Sequence, residues 1–598
     1  MNLMTSFANH MPRQGVENIA SLSPSIGQTA KLSRWWLVAI LGIGTALRLF
    51  GLNRQSYWFD EGFSWNAASQ SLDAMRATLV ADFVHPPLHY LVLHFWLALP
   101  FWADQAASGR LLVALFGIAT LPALYWLGVM LYDRRTALLA TAFLALSQLG
   151  VTYSQEVRPY SQLLLLTILT TAFYVHSVKR TSAISLMGAT ACAAAALMTH
   201  YYALFPLIGI GIWHLIYARG QIPRAWLIGS IAALVMMMMP WLLSGIIERA
   251  LAVGGHVDAE QPSYFRAGPG ALFEIFSAFG NSRSYNNIAS SPSLWRIAIA
   301  AAVFSAPIAF ILRLNRSVPR RWVWVIWLFG GAIPLALLMA DLIHLPPTIG
   351  FAIGLIVLLP LREQFPTFDF RNRVAAHHAL MVLLIALPIF VPLIGARFNI
   401  QYDVRYVLSA MPPFYLLAAH ALLGIAQSGI RKTWIVIALI ALLPGLHTAL
   451  TANEKEDYRS AFGFIHAKLA AGECVEITHW DSLVPPPQWR LYNYDDIALP
   501  LVNAQHTGTQ EQRCTGIWLM EYQRVPSSVQ RGAAREAKLR QAREVLGSQQ
   551  FFWFKVVHLG PSQTQTSEEL AWFIDQDRPI PLAATGELKT PYRERNRS

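Results

Sequence analysis

Charge is what this sequence has least of. Only 13% of its 598 residues are Asp, Glu, Lys or Arg, while 55% are hydrophobic. Soluble globular proteins carry about 25% charged residues. The mean hydropathy of +0.39, with 20 Trp and 31 Phe, excludes a disordered or freely soluble chain. Cysteine is nearly absent: there are three, and no C-x-x-C or other zinc spacing. No glycine-rich nucleotide-binding loop is seen, so no bound nucleotide and no cofactor are expected. Internal repeats and low-complexity tracts are also missing. The first 30 residues lack a charged-then-apolar pattern, so no cleaved signal peptide is read, and they are expected to form a cytoplasmic tail.

What is present is apolar sequence, recurring from residue 34 to residue 451. A membrane span needs about 20 such residues. Spans are read near 34–52, 110–131, 137–153, 160–178, 182–203, 204–218, 224–243, 293–313, 322–340, 347–361, 374–395, 405–425 and 433–451, thirteen in all. The linkers alternate. One set is basic: Arg134 and Arg135, Lys179 and Arg180, Arg219 and Arg224, Arg320 and Arg321, Arg371 and Arg373, Arg431 and Lys432. The other set has no Lys. Positive charge stays inside, so the N-terminus is expected in the cytoplasm and residues after 452 outside. The net charge of +12 is assigned to this bias, and no nucleic-acid partner is expected. Residues 86–102 would invert every later linker if they spanned. They are read as a short surface or re-entrant helix, bracketed by Pro86, Pro87 and Pro100, with a true span as the alternative.

The expected fold class is therefore an α-helical polytopic membrane protein. It has a cytoplasmic tail (1–32), a transmembrane domain (33–451) with external loops at 53–109 and 244–292, and an external domain (452–598). In that last part YRSAFGFIHAKLA and AAREAKLRQAREVL read as helices, and ECVEIT, GIWLMEY and FFWFKVV as strands, so a small α/β domain is expected. Cys474 and Cys514 each open a predicted strand on an oxidising side. A disulfide is the expectation, two buried free thiols the alternative. Cys192 reads as core.

Candidate chemistry gathers at the external ends of the spans. Asp60 and Glu61 follow Ser56-Tyr57-Trp58-Phe59. A carboxylate partly desolvated at a membrane surface can act as a base. The structural alternative is that either one caps a helix running through Ser64 to Ala81. His85, before Pro86-Pro87, is a candidate substrate donor or, with His200, a candidate metal ligand. Two histidines alone do not make a metal site, and no metal is expected. Glu156, Arg158 and Tyr160 form a third cluster. Arg158 could hold a phosphate or pair with Glu156. Arg405 and Tyr406 form a fourth, either a second phosphate cation or an interfacial anchor. External carboxylates and guanidiniums beside an apolar scaffold suit transfer of a sugar from a lipid phosphate. A carboxylate would take the acceptor's proton, and a cation would stabilise the leaving phosphate.

The same residues carry a resemblance. Trp58-x-Asp60-Glu61, then His85-Pro86-Pro87-Leu88-His89-Tyr90, then Arg110, then Gln155-Glu156-x-Arg158-Pro159-Tyr160 resemble the bacterial members of glycosyltransferase family 39. These are GT-C enzymes related to dolichyl-phosphate-mannose protein mannosyltransferases and to the lipid A aminoarabinose transferase. Thr199-His200-Tyr201 and Arg405-Tyr406-Val407 with Pro412-Pro413 are similar to later family positions. The likeness spans roughly 34–450. It implies a GT-C fold, a polyprenyl-phosphate sugar donor such as an undecaprenyl-phosphate sugar, inverting and metal-independent transfer, and a bacterial inner membrane with the active face in the periplasm. It implies Asp60 as catalytic base, with Glu61 orienting substrate or supporting Asp60. His85, Glu156, Arg158, Tyr160, His200, Arg405 and Tyr406 would bind donor phosphate or substrate. An acidic-basic-proline motif of the aminoarabinose transferase is replaced here by His85-Pro86-Pro87, and the large luminal insert of the eukaryotic mannosyltransferases is lacking. Sugar and acceptor therefore stay open. The competing readings are a polymerase or ligase using polyprenyl-diphosphate glycans, a lipid or sugar transporter, and a non-catalytic sugar-lipid receptor. A transporter would place charge or paired helix breaks at mid-membrane.

Overall fold

The computed structural model describes residues 30–100, 102, 104–249, 275, 279, 376–395, 403–425, 427–453, 455–478, 486–494, 514–523 and 526–562. The spans read at 293–313, 322–340 and 347–361, and most of the loop read at 244–292, lie outside them. The chain divides into two compact units. One comprises Met1–Phe50, Val113–Gln155 and Pro159–Thr451; the other comprises Gly51–Leu112, Glu156–Arg158 and Ala452–Ser598.

The first unit is helical. Among the described residues of the chain, six helices are long and apolar enough to cross a membrane: Gln105–Leu131, Tyr160–Arg180, Tyr201–Ala218, Arg224–Arg249, Val404–Leu423 and Ser428–Thr451. The first of these begins in the second unit. The chain is a multi-pass membrane protein. Other spans read from the sequence are shorter in the structure. The one at 137–153 is broken at Ser147, leaving Arg134–Leu146 and Gln148–Thr152. Ser147 turns to extended backbone, and its hydroxyl accepts from the Gly150 amide at 3.2 Å, which restarts the helix. Thirteen residues rise only about 20 Å, short of the roughly 30 Å hydrocarbon core. The region read at 182–203 ends at Thr199, where His200 goes extended.

Buried Phe143, Met381, Leu384, Tyr415 and Leu442 contribute to the core of this unit. Helix Arg224–Trp241 instead leaves Ile231, Val235, Met236 and Met237 uncovered, as a lipid-facing surface does. Arg48 is fully buried near the end of helix Ala30–Leu49. It donates to the carbonyls of Leu144 (3.0 Å) and Ala145 (3.3 Å). Those are last-turn carbonyls of Arg134–Leu146, which have no partner inside their own helix and carry its negative dipole end.

The second unit opens with three short helices, Phe59–Ala68, Leu72–Asp82 and Leu88–Leu97. The single helix expected through 64–81 is interrupted because the Ser71 side chain caps a new helix by accepting from the Ala74 amide. Leu88–Leu97 has ten residues. At 1.5 Å per residue it covers about half a bilayer core.

The C-terminal part holds a four-stranded sheet of β1 (Glu473–Ile477), β2 (Gly516–Tyr522), β3 (Arg543–Phe551) and β4 (Phe554–Ser562), in the order β1-β2-β4-β3. β1 and β2 are parallel, and the other pairs are antiparallel. Helix Tyr458–His466 presents Tyr458, Phe462 and Ile465 to Val475, Trp518 and Phe554 of the sheet. Cys474 and Cys514 form a disulfide, with Cα atoms 5.6 Å apart.

Two expectations for this part are corrected. The helix read through AAREAKLRQAREVL stops at Arg540, and Arg543 to Leu546 belong to β3. Buried Arg543 donates to the carbonyls of Gly560 and Cys514, which holds that segment in the sheet. FFWFKVV is a hairpin corner rather than one strand: Phe551 ends β3, Trp553 turns at φ 66°, and Phe554 starts β4. The turn lacks the Asn-Gly or Asp-Gly pair that usually announces a tight hairpin.

Candidate active site

Two polar clusters hold the candidate residues, one in each unit. In the second unit, the helix Phe59–Ala68 begins at Trp58, which supplies no side-chain cap. The Phe59 amide is instead met by Glu456 Oε2 at 3.2 Å. Asp60 and Glu61 thus stand in the first turn, and their fates diverge. The Glu61 side chain is 0% exposed and that of Asp60 is 22% exposed. Glu61 accepts from Arg110 Nε (3.0 Å) and Nη2 (2.8 Å), from Lys455 Nζ (2.9 Å) and from the Val157 amide (3.0 Å). Burial pushes its carboxyl up, but Arg110, then Lys455, with these hydrogen bonds, outweigh it and hold it down at about 2. Glu61 is a permanent anion whose oxygens are committed. Arg110 also donates to the carbonyls of Leu52, Gln55 and Ser56, and so draws the loop toward itself.

Asp60 lies beside Arg158, with Nη2 to Oδ2 at 3.8 Å. Arg158 is buried and donates to the Asp60 carbonyl (3.2 Å) and Ser64 Oγ (3.2 Å), with His85 Nε2 3.1 Å from its Nη2. An arginine can only donate, so Nε2 of His85 accepts and the proton sits on Nδ1, which faces Asp82 at 3.6 Å. His85 is held there by the left-handed turn at Phe83 and the following Pro86-Pro87. Glu156 Oε1 lies 3.7 Å from Lys455 Nζ. The structure therefore brings Asp60, Glu61, His85, Glu156 and Arg158 into one cluster.

The first unit holds the others. Asp403 caps the turn Val404–Ala410 by accepting from the Arg405 amide, and pairs with Arg405 Nε at 3.1 Å. The Arg405 guanidinium lies over the rings of Tyr406 (5.6 Å) and Tyr160 (6.0 Å). His200 packs among Tyr160, Tyr202 and Tyr406, with ring centroids 5.3 to 5.9 Å away. Tyr160, His200, Arg405 and Tyr406 thus form an aromatic box around one cation. His85 and His200 fall in different units. Among the described residues no group of three or more His, Cys, Asp and Glu could hold a metal ion.

Sequence reasoning gave no role to Arg110, Lys455 or Ser64. A signal existed for the first two: each is a cation at the external end of a span, where the positive-inside bias disfavours one. Such a charge needs a carboxylate partner, and Glu61 provides it.

These features describe a polytopic helical membrane protein with a carboxylate–guanidinium cluster built on the loop that follows its first span in the chain and a small α/β domain after its last. Residues 84–243 match the family described as dolichyl-phosphate-mannose-protein mannosyltransferase. That segment, about a quarter of the chain, includes His85, Glu156, Arg158, Tyr160 and His200. No curated protein matches the chain. Among solved structures it is similar to ArnT from Cupriavidus metallidurans in the apo state, at 15% identity and a TM-score of 0.42, covering 88% of this chain and 98% of that one. ArnT from the same organism bound to undecaprenyl phosphate gives 14% and 0.39 over the same shares. The Archaeoglobus fulgidus oligosaccharyltransferase in complex with Zn and sulfate gives 13% and 0.39, covering 76% of this chain and 57% of that one.

Proposed function

We propose that this protein moves one sugar from a polyprenyl-phosphate donor to an acceptor on the external face of a bacterial inner membrane, with inversion, and with Asp60 as the base. One observation carries this reading. Of two adjacent carboxylates, Glu61 is buried and committed to Arg110 and Lys455, while Asp60 reaches solvent with the Arg158 guanidinium beside it. A base and a cation held together are the two groups that transfer from a lipid phosphate requires. The family match, over a segment named for enzymes of dolichyl-phosphate-mannose, supports a lipid-phosphate sugar as donor.

An acceptor hydroxyl or amine attacks the anomeric carbon as its proton passes to an Asp60 carboxylate oxygen. The bond from the anomeric carbon to the phosphate oxygen breaks, and its electron pair leaves on the polyprenyl phosphate. Arg158 meets the developing phosphate charge. His85 and Ser64, which contact the Arg158 head group, hold it in place. Arg405 in its aromatic box is a second candidate cation for a lipid phosphate.

The test uses purified protein in proteoliposomes with a panel of radiolabelled undecaprenyl-phosphate sugars and membrane extract as acceptor source. Wild type should release label from one sugar lipid, and Asp60→Asn should lose that activity by about 10²–10⁴-fold, the span of general-base contributions. Undiminished transfer by Asp60→Asn would remove Asp60 from the base role. Consumption of a diphosphate-linked glycan only would replace the donor.

A further inference from the structure

The segment that follows the last span makes a series of contacts with the loop that carries Asp60, all inside one compact unit. Arg54 donates to Asn453 Oδ1 (3.0 Å) and to the Ala452 carbonyl (2.9 Å). The Lys455 amide donates to Gln55 Oε1 at 3.2 Å. Arg459 donates from its amide to Ser56 Oγ (3.1 Å) and from Nη2 to the Asn53 carbonyl (3.0 Å). Tyr492 Oη accepts from the Tyr57 amide, and Gln488 Nε2 donates to the Trp58 carbonyl at 3.2 Å. Gly62 is where that last contact closes: a Cβ there would lie 2.3 Å from Gln488 Nε2.

Two of these residues touch the groups on either side of the proposed base and its cation. Glu456 takes the Phe59 amide, one residue before Asp60, and its other oxygen accepts from Tyr522 Oη on β2 at 3.0 Å. The α/β domain thereby fixes the start of the helix bearing Asp60. Lys455 reaches Glu61, one residue after Asp60, and Glu156, two residues before Arg158, at 2.9 and 3.7 Å. Its side chain is 8% exposed, so both attractions act with little screening by water. Glu61, Glu156, Arg110 and Lys455 together sum to zero charge. Lys455 is the cation that contacts both carboxylates, whereas Arg110 meets Glu61.

We infer that Lys455 is a positioning residue of the transfer reaction: its ammonium ties the segment carrying Asp60 to the segment carrying Arg158 and sets the spacing between base and cation. The domain after the last span then works as the clamp of the catalytic loop, whatever else it binds. The inference rests on the transferase reading, so its test has a readout that does not.

Lys455→Met, Lys455→Arg, Glu156→Gln and Lys455→Met/Glu156→Gln would be compared in full-length protein in nanodiscs, with activity normalised to folded protein. Lys455→Met should lower kcat by about 100-fold, the scale of a misplacement near 1 Å, with KM for the donor changed less than about threefold. Lys455→Arg should recover most of the rate. Glu156→Gln should act through the same tie, so the double variant should be no slower than Lys455→Met alone. In parallel, hydrogen exchange of the 156–158 and 59–68 amides should quicken together in Lys455→Met. An unchanged kcat in Lys455→Met, or multiplying rate losses in the double variant, would overturn the positioning role. If no sugar lipid is consumed even by wild type, the transferase reading fails by itself. Exchange in the two segments then decides whether the tie exists: coupled quickening keeps it, and unchanged exchange removes it.

Discussion

Replacing Glu61 by Gln tests the central electrostatic claim, that one carboxylate is committed so that its neighbour is not. A carboxyl held at about 2 instead of 4.5 is stabilised as an anion by about 3 kcal/mol, at 1.36 kcal/mol per pH unit. The amide keeps the shape but leaves Arg110 and Lys455 buried with no anion between them except Glu156. Breaking a buried pair from one side costs about 3–5 kcal/mol, in agreement with the first figure. The sign follows from linkage. A carboxyl depressed in the folded state contributes stability that is fully present above about 4.5 and is lost as pH falls from there toward 2. Glu61→Gln should therefore be less stable than wild type by about 3 kcal/mol at pH 7. The gap should hold between pH 5 and 8 and narrow from about 4.5 toward 2, as Glu61 takes up its proton first in the unfolded chain and only near 2 in the folded one. Thermal unfolding in nanodiscs can be followed by the fluorescence of the chain's 20 Trp, across pH 3 to 8. Equal stability at pH 7, or a gap that persists unchanged to pH 3, would refute the reasoning and return Glu61 to the list of possible bases.

Three further outcomes follow from other parts of the molecule. Glu521 on β2 is buried beside Glu536, and burial followed by the hydrogen bond to Glu536 pushes its carboxyl up to about 7. Hydrogen exchange of β2 in the full chain, corrected for intrinsic rates, should show local stability falling as pH rises from about 4.5 through 7, and Glu521→Gln should flatten that slope. The disulfide closes a separation of 40 residues, worth about 4 kcal/mol in the chain-entropy account. Cys474→Ser/Cys514→Ser should make the C-terminal sheet exchange globally faster while the Arg134–Leu146 helix is unaffected. Gly117→Ala would put a Cβ 1.9 Å from Ser154 Oγ and 2.6 Å from its Cβ. Overpacking of that kind costs about 1–3 kcal/mol, and adding Ser154→Gly should restore the melting temperature, which a loss unrelated to that contact would not permit.

The helical membrane class was written in one-dimensional terms, so the sequence could show it. Burial in lipid needs runs of apolar residues, and Tyr160–Arg180, Arg224–Arg249 and Ser428–Thr451 appear close to where such runs stand. The helix Tyr458–His466 was legible from its period, and the strands Glu473–Ile477 and Gly516–Tyr522 as short apolar runs of strand length rather than by alternation. Where a single residue overrides the run, the reading failed. Ser147 breaks a helix that hydropathy joins, Ser71 starts one inside another, and Trp553 folds FFWFKVV back on itself.

The site divides the same way. Which residue types are available is written along the chain: Asp60 and Glu61 adjacent, His85 before two prolines, Arg158 after Glu156. Composition and spacing do not say which carboxylate of the pair is buried and paired, although the resemblance implied Asp60 as base and Glu61 as its support. Folding makes that distinction, because the partners come from far along the chain: Arg110 49 residues away and Lys455 394 residues away from Glu61. A carboxylate's protonation is set by the dielectric and the charges around it in space. Sequence distance carries no information about either, so the burial and pairing of Glu61 waited for the fold.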